Sequence, residues 1–204
     1  MRILILLAGF PGTGKSYLAE MIEQRVEMFE LISQDKIKES FFDKYGYNNL
    51  NEKKVLESEA WQVFYDTMET RMRNHQPLMS DYPFSDKQKP YLEQLAVKYD
   101  YLVITIRMTA DLDVLFERRK ARDLDKSRHL SHIVTTYQKG NTLEDRQQAD
   151  YLLSYEEFIH RCTTRGYDRF SLGELFEVDT TDYSKVDYDA LLNKLIEIVK
   201  NRRE

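Results

Sequence analysis

The residues best suited to chemistry lie near the start of the chain. Residues 9–16 read GFPGTGKS, which places Gly9, Gly14, Lys15 and Ser16 in the spacing G-x-x-x-x-G-K-[ST]. Glycines at this density let a backbone curl around an anion with its N–H groups turned inward. A helix opening near Lys15 adds free amides and the positive end of its dipole. In such a loop the lysine reaches the β- and γ-phosphates of a nucleotide, and the Ser16 hydroxyl ligates a divalent cation. Gly9, Pro11, Gly12, Thr13, Gly14, Lys15, Ser16 and the adjoining Tyr17 are expected to bind the nucleotide.

Three further stretches carry candidate groups. In LISQDKIKES, Asp35 follows a short apolar run. A carboxylate there accepts the proton of an attacking hydroxyl or holds a water on the cation, or it only caps the helix that follows. Lys38, one turn on, faces the same way and suits an anionic group of the second substrate. In PLMSDYP, Asp81 ends another apolar run, where it holds a cation-bound water or touches the second substrate. In FERRKARDLDKSRH, Arg118 and Arg122 share one helix face, as forks for phosphoryl oxygens or as a solvated basic surface. Arg119 and Arg128 belong to the same basic run and are given no separate role. Thr180, in VDTTD, either borders the nucleotide base or forms a plain strand-to-helix turn. The four histidines show neither metal-ligand spacing nor a nucleophile partner, and the single Cys162 reads as packing.

Other phosphate-loop chemistries lack their parts. DKYG at 43–46 fits a guanine-nucleotide switch by letters only, since it falls at a helix end, and NKLI at 193–196 lacks the aspartate of a guanine reader. Asp81 is followed by Tyr82 rather than a glutamate that would align a hydrolytic water. The pattern favours transfer over hydrolysis.

Elements that place these residues can be read from periodicity. RILILLA, at 2–8, is a continuous apolar run suited to a strand buried on both faces of a parallel sheet. Further strands are expected at MFELIS, PLMSD, YLVITIRM and ELFEVDTT. Helices are expected between them, including one over 52–74 with apolar residues at i, i+4 and one over 142–162, and Asp111 is a candidate cap for the helix at 111–123. Residues 123–141 have many charges and no period, which predicts a mobile excursion. Alternating strands and helices give a three-layer α/β/α sandwich with a parallel sheet of about five strands, a single domain over 1–204 with a lid near 118–141. Gly12, Asp35, Asp81 and Asp179 all fall at strand ends, where such sheets bind ligands.

The 204 residues carry a net charge of −5, with 42% apolar and 32% charged side chains. This balance offers a nucleic acid no bulk attraction. With one cysteine, no long apolar span and no leader pattern, a cytoplasmic protein without a membrane partner is expected.

Together GFPGTGKS, ISQDKIKES, LFERRKAR and VDTT resemble the small P-loop kinases of the polynucleotide-kinase and zeta-toxin type. The resemblance implies an ATP- and Mg²⁺-dependent transfer of the γ-phosphoryl group to a hydroxyl. It assigns activation of the acceptor hydroxyl to Asp35 and the lid over ATP to Arg118 and Arg122. Polynucleotide kinases carry arginine three residues after that aspartate, where this chain has Lys38, a point charge rather than a fork. The expected acceptor is therefore a small molecule. The alternatives are a nucleic-acid 5′-hydroxyl or a non-transferase ATP-binding module.

Overall fold

RILILLA becomes β1 (Ile3–Gly9), every residue of which is buried. In a computed structural model, which describes residues 1–202, β1 is the centre of a five-stranded sheet in the order β2-β3-β1-β4-β5. The other strands are β2 (Glu30–Leu31), β3 (Leu78–Asp81), β4 (Leu102–Thr109) and β5 (Glu174–Asp179), and all pairings are parallel. Ile3, Ile5 and Leu7 pack against Leu18 and Ile22 of α1 (Lys15–Arg25) and Leu192, Leu195 and Val199 of α7 (Tyr188–Asn201). Leu4, Leu6 and Ala8 point the other way, onto Phe64, Met68 and Met72 of α3 (Leu50–Arg73) and Leu92 of α4 (Lys89–Tyr99). Strand alternation thus buries both faces of one strand and sets the three layers. This is the expected α/β sandwich.

Register fixes the site. Leu7 lies beside Asp81 in the β1–β3 pairing, and Gly9 lies beside Met108 in the β1–β4 pairing. Gly9 has φ 106°, and a Cβ there would sit 1.9 Å from the Met108 carbonyl oxygen. Glycine is required at this position by the approach of β4 as much as by any ligand.

Three expectations need correction. The region 142–162 is helical only in α6 (Tyr155–Thr164), apart from a 3₁₀ turn over Arg146–Gln148. Ser154 and Glu157 form a capping box that starts α6, a signal present in the letters S-x-x-E. Asp111 precedes α5 (Leu112–Leu124), but its side chain makes no cap; its N–H donates to Thr181 Oγ1 at 3.0 Å. Residues 123–141 are packed rather than a free excursion. Leu130, Ile133 and Tyr137 are buried with Phe42 and Tyr47, and Tyr47 and Tyr137 exchange two backbone hydrogen bonds of 2.8 Å.

Candidate active site

The loop between β1 and α1 is shaped by its own atoms. Gly12 and Gly14 have φ 92° and 86°, in the left-handed region where side chains are strained. Thr13 is buried and donates to the Phe10 carbonyl at 2.9 Å. Lys15, 8% exposed, donates to the carbonyls of Phe10 and Gly9 at 2.6 and 3.2 Å. Burial, with the charge of Arg122 beside it, lowers the Lys15 pKa to about 7, while Asp81 and Asp35 oppose the shift. The ammonium is poised for phosphate, which would restore its preference for the charged form.

Ser16 opens outward from the same turn and donates to Asp81 Oδ2 at 2.7 Å. The other Asp81 oxygen is buried without a hydrogen-bond partner, and burial raises the carboxyl pKa. A hydroxyl and a carboxylate with a free oxygen are hard donors suited to Mg²⁺, which takes one or two protein groups and completes its shell with phosphate and water. No group of three or more His, Cys, Asp and Glu that could hold a metal unaided occurs among the described residues.

Asp35 lies in the first turn of α2 (Gln34–Tyr45). Ser33 is the residue before that helix, so Asp35 is not its cap. Burial opposes ionisation of Asp35, but Lys38 and Arg128 outweigh it and hold the carboxyl well below the usual range. Lys38 Nζ donates to Asp35 Oδ1 at 2.8 Å, and Arg128 stands 3.8 Å from Oδ2. Arg128 also reaches Glu39 and Asp123, each at 3.9 Å.

Pro11, Gly12, Gly14, Lys15, Ser16, Tyr17, Asp35, Lys38, Asp81, Arg118 and Arg122 line one cavity of about 730 Å³. Ten of the chain's 30 lysines and arginines line it, against three of its 35 aspartates and glutamates. The acidic composition therefore conceals a strongly basic interior. Helix α3, whose spacing alone suggests no role, contributes Lys53, Lys54, Glu57 and Trp61; α6 contributes Arg161 and Arg165.

Some expected residues are engaged elsewhere. Arg118 donates to the carbonyls of Thr180 and Thr181 at 2.7 and 2.9 Å, and its guanidinium lies 3.8 Å from the Tyr183 ring centre. The Tyr183 hydroxyl donates to Gly12 O at 3.2 Å, so Arg118 clasps the 180–183 turn onto the glycine loop. Thr180 is fully buried, donates to the Thr109 carbonyl, and does not line the cavity. Asp179 is exposed and accepts from Thr181 N–H in the same turn. Arg119 pairs with Asp123 at 3.2 Å. His132 pairs with Glu39 at 2.5 Å, and burial lowers its pKa to about 4, so it is neutral near pH 7. Cys162 is buried and its thiol is raised to about 11, as packing requires.

A family model described as an AAA domain matches residues 4–140, the span from β1 through the basic helix α5. The chain belongs to this AAA domain family. It is a P-loop NTPase in which GFPGTGKS is the phosphate loop. Three solved structures share the fold over nearly the whole chain. A protein from Chloroflexus aurantiacus, described as a kinase by assignment only, is 24% identical with TM-score 0.75, covering 98% of this chain and 97% of its own. A gluconokinase from Sinorhizobium meliloti is 14% identical with TM-score 0.55, covering 100% and 98%. A sugar kinase from Janibacter sp. is 8% identical with TM-score 0.56, covering 98% and 95%. The fold of this AAA domain protein is thus that of the small P-loop kinases. No curated protein matches its sequence. Among the described residues no helix is long and apolar enough to cross a membrane.

Proposed function

We propose that this protein transfers the γ-phosphoryl group of ATP to a hydroxyl of a small molecule. The observation that carries the reading is the meeting of Lys15, the Ser16–Asp81 pair and the Asp35 carboxylate in one basic cavity. A hydrolytic enzyme needs a group that aligns water beside the phosphates. Here the carboxylate is set on a separate helix, in a cavity of about 730 Å³ that has room for a second substrate.

Each residue has a role in that reaction. Lys15 and the amides of the glycine loop hold the β- and γ-phosphates, and Ser16 and Asp81 hold Mg²⁺. Held by Ser16 and Asp81, Mg²⁺ would supply positive charge that offsets the negative charge developing in transfer. Asp35 is a weak base, because Lys38 and Arg128 stabilise its anion. It therefore orients the acceptor hydroxyl and takes its proton only late, which a loose phosphoryl-transfer transition state permits. Arg122, beside Lys15, supplies charge to the transferring group. Arg118 holds the turn at the nucleotide end.

The test is a transfer screen with labelled ATP against nucleosides, sugars, sugar acids, antibiotics and 5′-hydroxyl oligonucleotides. The expected result is a labelled small molecule formed by the wild type and not by Lys15→Ala. Phosphate release that no acceptor changes, but that a protein partner accelerates, would replace the kinase reading with a regulatory ATP-binding module.

A further inference from the structure

Asp81, Arg119 and Arg128 each line the cavity with one buried atom that lacks a hydrogen bond, but Gln34 has two, the whole polar end of its side chain. It opens α2 beside Asp35, is 1% exposed, and lines the cavity. Neither its amide oxygen nor its amide nitrogen has a hydrogen-bond partner. Buried polar groups are costly without partners, so an orphan pair at a site points to a ligand that supplies both. A hydroxyl donates and accepts through one atom and matches a carboxamide.

A second observation concerns charge. Lys38 and Arg128 are balanced by Asp35, Arg119 by Asp123, and Arg118 by two carbonyls. On α6, the Arg161 side chain has no hydrogen bond or ion pair among the described residues, and the Arg165 side chain meets only the Tyr167 hydroxyl at 3.2 Å. Lys54 of α3 likewise has neither. A nucleoside triphosphate brings about four negative charges, roughly half of them offset once a divalent cation is bound. Lys15 and Arg122 already answer these. The remaining cations call for an anion on the other substrate.

We propose that the acceptor is an anionic polyol, a small hydroxylated molecule with a carboxylate or phosphate group. Arg161, Arg165 and Lys54 hold the anion, and Gln34 reads a hydroxyl next to the one that is phosphorylated. The inference rests on the kinase reading above. The acceptor oxygen forms its bond to the γ-phosphorus as the bond from that phosphorus to the β–γ bridging oxygen breaks. ADP departs, and the hydroxyl proton passes to Asp35 and then to solvent.

Calorimetry on the protein saturated with Mg²⁺ and a non-hydrolysable ATP analogue tests this, using matched sets of an aldose, its aldonate and its phosphate. At least one anionic member should bind about tenfold or more tightly than the aldose. Arg165→Gln and Lys54→Gln, both at exposed positions, should remove that advantage and leave analogue affinity unchanged. The member they affect less distinguishes carboxylate from phosphate. Gln34→Leu should keep or raise the melting temperature while weakening the anionic acceptor about tenfold. A lowered melting temperature with unchanged acceptor affinity would make Gln34 purely structural and overturn its assignment. Equal binding of the aldose, no binding by any member, or tighter binding of a 5′-hydroxyl oligonucleotide would overturn the anionic polyol. Transfer from labelled ATP is followed in parallel. Transfer to the aldose alone keeps the kinase and rejects the anion; anion binding without any transfer rejects the kinase and keeps the pocket.

Discussion

Residues 9–16 and residues 125–153 line the same cavity and are held in opposite ways. The glycine loop is shaped by bonds within itself: Thr13 to Phe10, Lys15 to Gly9 and Phe10, and two left-handed glycines. The covering segment has bonds within itself too, such as Tyr151 N–H to the Ile133 carbonyl and Thr135 N–H to Asp150, but what fastens it over the cavity lies outside it. Lys53 reaches its Ser131 carbonyl at 2.7 Å, Tyr47 the same carbonyl at 2.9 Å, and Tyr137 reaches Asp43 at 2.6 Å. Each partner is distant in sequence. A locally determined loop keeps its shape whether or not ligand is present. A segment held by long-range contacts can be released by losing a few of them, which suits a lid.

This contrast also explains what the sequence disclosed. Gly9, Gly14, Lys15 and Ser16 were legible because their spacing is itself the geometry. Strands β1 and β4 and helices α3 and α7 were legible because burial imposes a period. The cover was not, because Leu130, Ile133 and Tyr137 are buried by α2 and α3 without any repeat of their own. The ten-cation cavity was hidden for the same reason. Lys53, Arg128 and the Arg161–Arg165 pair come from three separate stretches, and a net charge of −5 gives no hint that they converge. Arg118 lines the cavity, but a basic helix face says where a guanidinium starts and not which carbonyls it finds.

The strongest way to break the comparison is at Lys15. Lys15→Ala should lower transfer by about 10³-fold, the scale of losing a charge that meets the transition state. The fold should persist, since the glycines and Thr13 remain. Melting temperature and transfer rate check both halves. A variant that melts early would mean that Lys15 is part of the loop's frame and not only its chemistry.

Asp35→Asn should cost about 10²-fold, the low end of general-base help, because the wild-type carboxylate is already a poor proton acceptor. ATP affinity should not change. Stability should fall, because the folded state stabilises the Asp35 anion and Lys38 loses its ion-pair partner, although Arg128 keeps Glu39 and Asp123. Full activity in the Asn variant would reduce Asp35 to a charge partner of the cover.

A smaller effect is expected from pH alone. With the Lys15 pKa near 7 in the free protein, phosphate binds the ammonium form. Below pH 7 that form is already present, so affinity is level there. Above pH 7 each binding event must first add a proton, so ATP affinity falls as pH rises, by up to about tenfold per unit. Calorimetry at pH 8 in two buffers of different ionisation heat should detect proton uptake. Absence of uptake would show that Lys15 stays charged in the free loop.

The smallest effect should come from the cover, at Lys53. This lysine is 5% exposed, and burial lowers its pKa to about 8. Its ammonium donates to the Ser131 and Val134 carbonyls at 2.7 and 3.3 Å and lies 4.6 Å from the Tyr151 ring centre. Lys53→Met keeps the length of the side chain and removes the charge. Only one of the two carbonyls loses its donor, since the single Tyr47 hydroxyl proton serves either Ser131 O at 2.9 Å or Val134 O at 3.1 Å. The loss should therefore be only about 1 kcal/mol, and relief of a buried charge offsets part of it. If 125–153 is a separable lid, that loss appears locally. Protease cleavage within the segment should rise several-fold, while hydrogen exchange at residues 9–16 and the global melting temperature stay nearly constant. An ATP analogue should suppress the added cleavage, because Arg128 and His132 line the cavity it fills. If instead both regions loosen together, the loop and its cover form one cooperative unit, and the distinction between a self-held loop and a cover fastened from outside fails.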